Sequence, residues 1–182
     1  NNGFLKAPNN EKMKLYVMLA NHDVRRNYWN VHKFKDDTSL LWDGAVDIEN
    51  FRIIVDRVIG QYFSRTNYYT IQGEPVFSIF SLQNLLEGLG GIEPAVEALA
   101  YFRQKVKEAG FPGLHIQLIG HGSAGEKQLE QIKALGINSI TKYNWGGPHR
   151  EDYMLWAKES RDRRQQWESA LDIPYFPNAS IG

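Results

Sequence analysis

A strand followed directly by a turn and a helix, over residues 114–135, constrains the fold of this chain more than any other stretch. Residues 114–119 alternate in a way that predicts a strand, and Ser123 and Glu126 have capping-box spacing just before a helical repeat of apolar residues. The turn between strand and helix holds His121. In parallel α/β folds, ligands bind in the loops that follow the carboxyl ends of strands, so the sequence predicts that His121 lies at a ligand site.

The rest of the chain repeats this alternation of strands and helices. Strands are predicted at 14–20, 76–80, 114–119, 139–141 and 174–180, and helices at 47–62, 93–109, 123–135 and 151–171. The segments 24–46 and 82–91 are predicted to be loops, and the first of them is rich in aromatic residues. Strands that alternate with helices predict a parallel sheet with right-handed crossovers.

Such a sheet either closes into a barrel or stays open as a doubly wound layer. If Ile116 and Leu118 face the helices, His115 and Gln117 point to the other face, and a polar interior is more typical of a barrel. We therefore predict an α/β fold in which residues 1–182 are a single domain, the central portion of a (β/α)8 TIM barrel with about five β/α units. On this interpretation further strands are missing, whereas a doubly wound domain would need none.

The composition excludes several classes of function. Lys plus Arg and Asp plus Glu each number 21, so the net charge is zero and no basic surface for nucleic acid is indicated. The absence of cysteine excludes disulfides and thiolate metal sites, and the histidines lack the paired spacing of a zinc site. No apolar run has the length of a membrane span. The sequence predicts no nucleic-acid partner, no transmembrane segment, no metal and no cofactor, and it leaves the oligomeric state open.

Polar and aromatic side chains collect where the predicted strands end. The polar groups can hydrogen-bond to hydroxyls, and the Trp and Tyr rings can stack on the apolar face of a sugar. This combination suits a carbohydrate better than a phosphorylated ligand. No phosphate-binding glycine loop occurs. The predicted substrate-binding residues are Asn21, His22, Asp23, Trp42, Asp43, His121, Tyr143, Asn144 and Trp145.

Catalytic residues are harder to place than binding residues. Glycoside hydrolysis needs two carboxylic acids beside the scissile bond, and only Asp23 and Asp43 lie at the favoured ends of strands. Glu74 precedes a strand and belongs to the opposite end of the sheet. No Gly-x-Ser-x-Gly elbow indicates a Ser-His-Asp triad. Trp145 also has a second interpretation, in which it packs under the turn of residues 146–148 and has no ligand.

Five short stretches of the chain carry a family resemblance. They are 69–80 (Tyr-Thr-Ile-Gln-Gly-Glu-Pro-Val-Phe-Ser-Ile-Phe), 20–21 (Ala-Asn), 42–44 (Trp-Asp-Gly), 113–116 (Gly-Leu-His-Ile) and 176–182 (Phe-Pro-Asn-Ala-Ser-Ile-Gly). Together these resemble the glycoside hydrolase family 99-like barrels, a group that includes proteins labelled glycosyltransferase WbsX. In that group a Lys is common where this chain has Glu74.

The resemblance implies a (β/α)8 fold, an oligosaccharide or polysaccharide substrate and retaining, endo-acting hydrolysis of α-mannosidic linkages. It also implies a periplasmic, cell-surface or secreted location. The catalytic acids of the family lie in a Trp-Asn-Glu-Trp-like segment near the end of the barrel, so we expect them outside this chain. A glycosyltransferase role in polysaccharide biosynthesis and non-catalytic glycan binding are the alternatives.

Overall fold

The computed structural model of the protein describes residues 3–121, 125–143 and 152–178. The strands are β1 (Val17–Leu19), β2 (Val24–Arg25), β3 (Leu40–Trp42), β4 (Thr70–Ile71), β5 (Glu74–Ile79), β6 (His115–Ile119), β7 (Ser139–Thr141) and β8 (Tyr175–Phe176). The helices are α1 (Arg26–Trp29), α2 (Ile48–Val58), α3 (Leu82–Leu89), α4 (Ile92–Glu108), α5 (Glu126–Ala134) and α6 (Tyr153–Ala170).

The main sheet is mixed and mostly parallel. Its parallel strands follow the order β1-β5-β6-β7-β8, and β4 pairs antiparallel with β5, which makes six strands in all. The prediction of a (β/α)8 TIM barrel is wrong. Closure of a barrel requires each strand to have two neighbours, but among the described residues β1 and β8 lie at opposite ends of an open sheet.

The helices bury their apolar side chains against one face of this sheet. Ile79, Leu118 and Ile140 form a row across β5, β6 and β7, because they are paired in register. The same hydrophobic cluster contains Phe51 of α2, Leu85 of α3, Phe102 of α4, Ile132 of α5 and Trp167 of α6. The neighbouring parallel strands of the sheet follow one another along the chain. When such strands are joined by crossovers of the same hand, the connecting helices lie on the same face of the sheet.

Phe102 lies at the centre of this core. Its ring meets Phe77 of β5 edge-on at a centroid distance of 5.1 Å and Phe51 of α2 edge-on at 6.1 Å. It also stacks on Phe63, which follows α2, at 6.1 Å. Aromatic pairs of this kind contribute about 0.5–1.5 kcal/mol each beyond the burial of their area. The contacts of Phe102 therefore fix α2 and α4 on the sheet.

The opposite face of the sheet is polar and hydrogen-bonded. His115 Nε2 lies 2.7 Å from Ser139 Oγ, and Gln117 Nε2 donates to the same oxygen at 3.5 Å. Tyr16 Oη donates to Gln117 Oε1 at 3.3 Å. Ser78, His115, Gln117 and Ser139 are all at most 7% exposed. The predicted division of β6, with Ile116 and Leu118 towards the helices and His115 and Gln117 away from them, is confirmed.

Both predicted loops contain regular structure. The segment 82–91 forms α3, which begins at the N-cap Ser81 and ends at Gly90, a glycine with φ of 90°. The segment 24–46 contains α1 and the antiparallel pair β2 and β3. In α6, the apolar pattern of the sequence predicts that both Tyr153 and Trp167 are buried; Trp167 is buried, but Tyr153 is exposed.

The buried imidazole of His115 makes the stability of the fold depend on pH. Burial lowers the pKa of His115 below its ordinary value of 6.5, and the nearby Glu74 carboxylate offsets this only in part. The unfolded chain therefore takes up a proton at a higher pH than the folded protein does. The stability that this neutral imidazole contributes is complete above about pH 6.5 and is lost as the pH falls towards the folded pKa.

We predict that His115→Gln, whose amide can still bond Ser139, flattens the decline of the unfolding free energy between about pH 7 and pH 5. Urea denaturation at several pH values measures this slope. His32→Gln, at an exposed histidine, is the matched control and should keep the parental slope. Equal slopes for the parent and His115→Gln would contradict the assignment.

Candidate functional site

A cleft of about 530 Å³ opens at the carboxyl ends of β1, β5 and β6. This is the end of a parallel sheet where ligand sites are found in α/β folds. The volume lies within the range of about 300–1,000 Å³ that is typical of small-molecule sites. The lining residues are His22, Asp23, Tyr28, Phe80, Ser81, Leu82, Gln83, Asn84, Ile119, His121 and Gln128.

A reciprocal pair of hydrogen bonds joins the ends of β1 and β5 beneath this cleft. Asn21 Nδ2 donates to the carbonyl oxygen of Ser81 at 2.8 Å, and the Ser81 N–H donates to Asn21 Oδ1 at 2.8 Å. Asn21 is only 3% exposed, so both bonds are shielded from water. Ser81 is also the N-cap of α3, since its Oγ accepts from the N–H of Asn84 at 3.2 Å. The position of Asn21 thereby sets where α3 begins.

Phe80 is the centre of an aromatic cluster on the cleft wall. The Phe80 ring makes edge contacts with His22 at a centroid distance of 5.2 Å, with His121 at 4.7 Å and with Tyr143 at 5.8 Å. Phe80, His121 and Tyr143 follow β5, β6 and β7, and side chains alternate along a strand. These three side chains therefore continue the polar face of the sheet, away from the helices.

Each of the two histidines has one ring nitrogen bound to a backbone carbonyl. His121 Nε2 lies 2.9 Å from the carbonyl oxygen of Phe80, and His22 Nδ1 lies 3.2 Å from that of Asp23. A carbonyl oxygen can only accept, so these nitrogens carry the proton. In the neutral form of each ring, the remaining nitrogens, His121 Nδ1 and His22 Nε2, are then acceptors for donor groups of a ligand.

The carboxylate of Asp23 bonds three segments of the chain: the stretch after β3, the first turn of α3 and β2. Its Oδ1 accepts from the N–H of Gly44 at 3.2 Å and from Asn84 Nδ2 at 3.2 Å, and its Oδ2 pairs with Arg25 Nη2 at 3.3 Å. A Cβ at Gly44 would overlap the backbone of His22, so the chain returning from β3 lies directly against the cleft. These contacts give Asp23 a structural role, which is to stabilise the wall of the cleft.

The structure brings together some of the predicted site residues and separates others. His22, Asp23 and His121 line the cleft, Asn21 lies beneath it through its bonds to Ser81, and Tyr143 contacts Phe80 of the cleft wall. Trp42 and Asp43 lie at the end of β3 and do not line it. Asp43 Oδ1 instead accepts from the N–H of Ala45 at 2.8 Å, which is a local turn contact. Asn144 and Trp145 lie outside the described residues.

Several lining residues were not predicted from the sequence. They are Tyr28, Phe80, Gln83, Asn84 and Gln128. The spacing Ser81-x-x-Asn84, followed by the helical repeat of leucines, was the signal that could have placed Asn84 in the first turn of a helix at the cleft. For Phe80, its position as the last residue of the predicted strand 76–80 was the available signal.

Comparisons of the chain with protein-family models, with curated proteins and with solved structures find no match. In the part of the chain that the structure describes, no group of three or more His, Asp or Glu side chains is placed to hold a metal ion. Within the same residues, no helix is long and apolar enough to cross a membrane. Inference about function therefore depends on the geometry of the cleft.

We predict that Asn21→Ala lowers the unfolding free energy by about 1–3 kcal/mol, because it removes both bonds between the strand ends: the Ser81 N–H loses its partner, and the Ser81 carbonyl keeps only the N–H of Leu85. Urea denaturation measures the change. Asn50→Ala is the control, since the Asn50 amide makes only an exposed contact with Asp47 and should change stability by less than about 0.5 kcal/mol. Equal effects of the two substitutions would show that the Asn21 bonds do not hold the strand ends together.

Proposed function

We propose that the protein binds carbohydrate and that the cleft around Phe80 holds a sugar ring. The observation that carries this proposal is the combination of an aromatic wall with uncharged hydrogen-bonding groups at the carboxyl ends of parallel strands. Phe80 and Tyr28 offer apolar surface for the C–H groups of a sugar. The amides of Gln83, Asn84 and Gln128 offer donors and acceptors for its hydroxyls.

The charge of the cleft favours a neutral ligand. None of the described residues that line it is Lys or Arg, and Asp23 is the only carboxylate among them. A phosphorylated or carboxylated ligand would need cationic partners there. A sugar hydroxyl, in contrast, can donate to His121 Nδ1 and accept from an amide at the same time. Neutral glycans therefore fit the cleft better than anionic metabolites do.

The resemblance to family 99-like hydrolases makes retaining hydrolysis of α-mannose-type glycans a second proposal. The position of the cleft supports it, because catalytic groups of α/β enzymes lie at this end of the sheet. A retaining mechanism needs two carboxyl groups about 5–5.5 Å apart. The described lining residues supply only Asp23, and its oxygens already hold Gly44, Asn84 and Arg25. The geometry therefore favours binding, and hydrolysis would depend on acids outside the described residues.

Incubation of the protein with α-mannans, followed by analysis of the products, separates the two proposals. We expect saturable binding without release of shorter oligosaccharides. Release of products that keep the anomeric configuration would favour the hydrolase, and transfer from an activated sugar donor would favour the glycosyltransferase alternative. The absence of binding to α-mannans and to a wider panel of neutral glycans would overturn the proposed function.

We predict that His121→Gln weakens glycan binding about fivefold, the equivalent of roughly 1 kcal/mol for one lost hydrogen bond. The glutamine amide can still donate to the Phe80 carbonyl, as His121 Nε2 does, but its acceptor Oε1 lies at the end of the side chain and not at the position of Nδ1, which is bonded to Cγ. Isothermal titration calorimetry measures the affinity, and the melting temperature should stay unchanged. His32→Gln controls for the loss of an imidazole elsewhere. Unaltered affinity of His121→Gln would contradict the role given to Nδ1.

A further inference from the structure

The segment between β1 and α2 displays an unusual number of exposed aromatic and aliphatic side chains. We call residues 24–43, which contain β2, α1 and β3, the arm. Trp29 is 81% exposed, Trp42 is 71% exposed and Tyr28 is 68% exposed. Trp167, in contrast, is buried in the core. A large aromatic side chain gains free energy when it leaves water, so several exposed in one short segment indicate a surface that is covered in use.

The arm is held in place by its own hydrogen bonds. The N–H groups of Arg26 and Asn27 donate to the carbonyls of Ser39 and Asp37, both at 3.0 Å, and the Arg25 guanidinium donates to the carbonyl of Thr38 at 3.0 Å. These bonds link the two halves of the arm to each other. The exposed rings are therefore presented on an ordered scaffold, which lowers the entropy cost of binding a ligand.

The exposed rings are continuous with the cleft. Tyr28 lines the cleft itself, and Trp29 is the next residue of α1. Asp23, which also lines the cleft, directly precedes β2, and Val24 of β2 pairs with Trp42 of β3. Both exposed tryptophans therefore lie near the cleft wall, Trp29 next to Tyr28 in the chain and Trp42 opposite Val24 in the strand pair.

Building on the proposed function, we propose that the arm is a second sugar subsite, formed by Trp29 and Trp42 next to Tyr28 of the cleft wall, which makes the protein select oligosaccharide chains over single sugars. On this proposal, a chain with one ring in the cleft, against Phe80 and Tyr28, places its next rings over the tryptophans. Stacking of sugar rings on aromatic faces needs separate exposed rings, and the arm supplies two exposed tryptophans besides Tyr28.

The charge of the arm favours this ligand over a membrane surface. The arm holds four cationic residues, Arg25, Arg26, Lys33 and Lys35, and three carboxylates, Asp36, Asp37 and Asp43. Attraction to an anionic membrane needs a cluster of cations without compensating acids. Because charges of both signs lie among the aromatic side chains, the arm has the mixed surface that suits a neutral polar chain.

Calorimetric titration of the protein with mannose and with α-linked manno-oligosaccharides of increasing length tests this inference. We expect the affinity of the parent to rise with chain length. In Trp29→Ala and in Trp42→Ala, the ratio of the affinities for the longest oligosaccharide and for mannose should fall about fivefold, the order expected for one lost aromatic contact. Trp29→Tyr, which keeps an aromatic ring, should retain most of the ratio. Tyr153→Ala removes an exposed ring outside the arm and should leave the ratio unchanged.

The possible failures of the two proposals are distinguishable. If the parent binds sugars with an affinity that does not depend on chain length, the second subsite is overturned and the sugar site in the cleft stands. The same conclusion follows if the tryptophan variants keep the parental ratio, or if Trp29→Tyr loses as much as Trp29→Ala. If the parent binds no sugar of any length, the proposed function fails and the second subsite fails with it.

Discussion

The reciprocal hydrogen bonds between Asn21 and Ser81 are the contact on which the candidate site depends. They fix the end of β1 against the end of β5 and, through the Ser81 cap, the start of α3. Among the cleft residues, His22, Asp23 and the run from Phe80 to Asn84 lie within three residues of this pair. The Asn21 amide and the Ser81 peptide group are both neutral, so this contact adds no charge beneath the cleft.

A second constraint comes from the order of the strands. Because adjacent parallel strands follow one another along the chain, helices α2 to α6 pack on one face, and the other face keeps a network of His115, Gln117 and Ser139. Phe80 and His121 extend this polar face beyond the ends of the strands. The candidate site is therefore a continuation of the polar face, and the apolar core on the other side supplies its rigidity.

The sequence predicted the parallel strands and the longer helices because alternation and helical periodicity are local signals. Closure of the sheet into a barrel was not predictable from local signals. His115 and Gln117 form a polar face on β6, as a barrel interior would, and yet the sheet is open. The site was predicted in part: strand ends located Asn21, His22, Asp23 and His121. Asn84 was missed because α3 was interpreted as a loop, and Tyr28 was missed because its place beside the cleft depends on the fold of the arm.

Nuclear magnetic resonance of the protein during titration with a manno-oligosaccharide tests the central claim most directly, because each histidine ring reports on its own surroundings. The account predicts saturable shifts of the ring signals of His22, His121 and Phe80, with the signals of His115 unchanged as an internal reference. Shifts confined to His115 and its neighbours would place the ligand on the polar face of the sheet. That result, or the absence of any saturable shift, would contradict the assignment of the cleft as the sugar site.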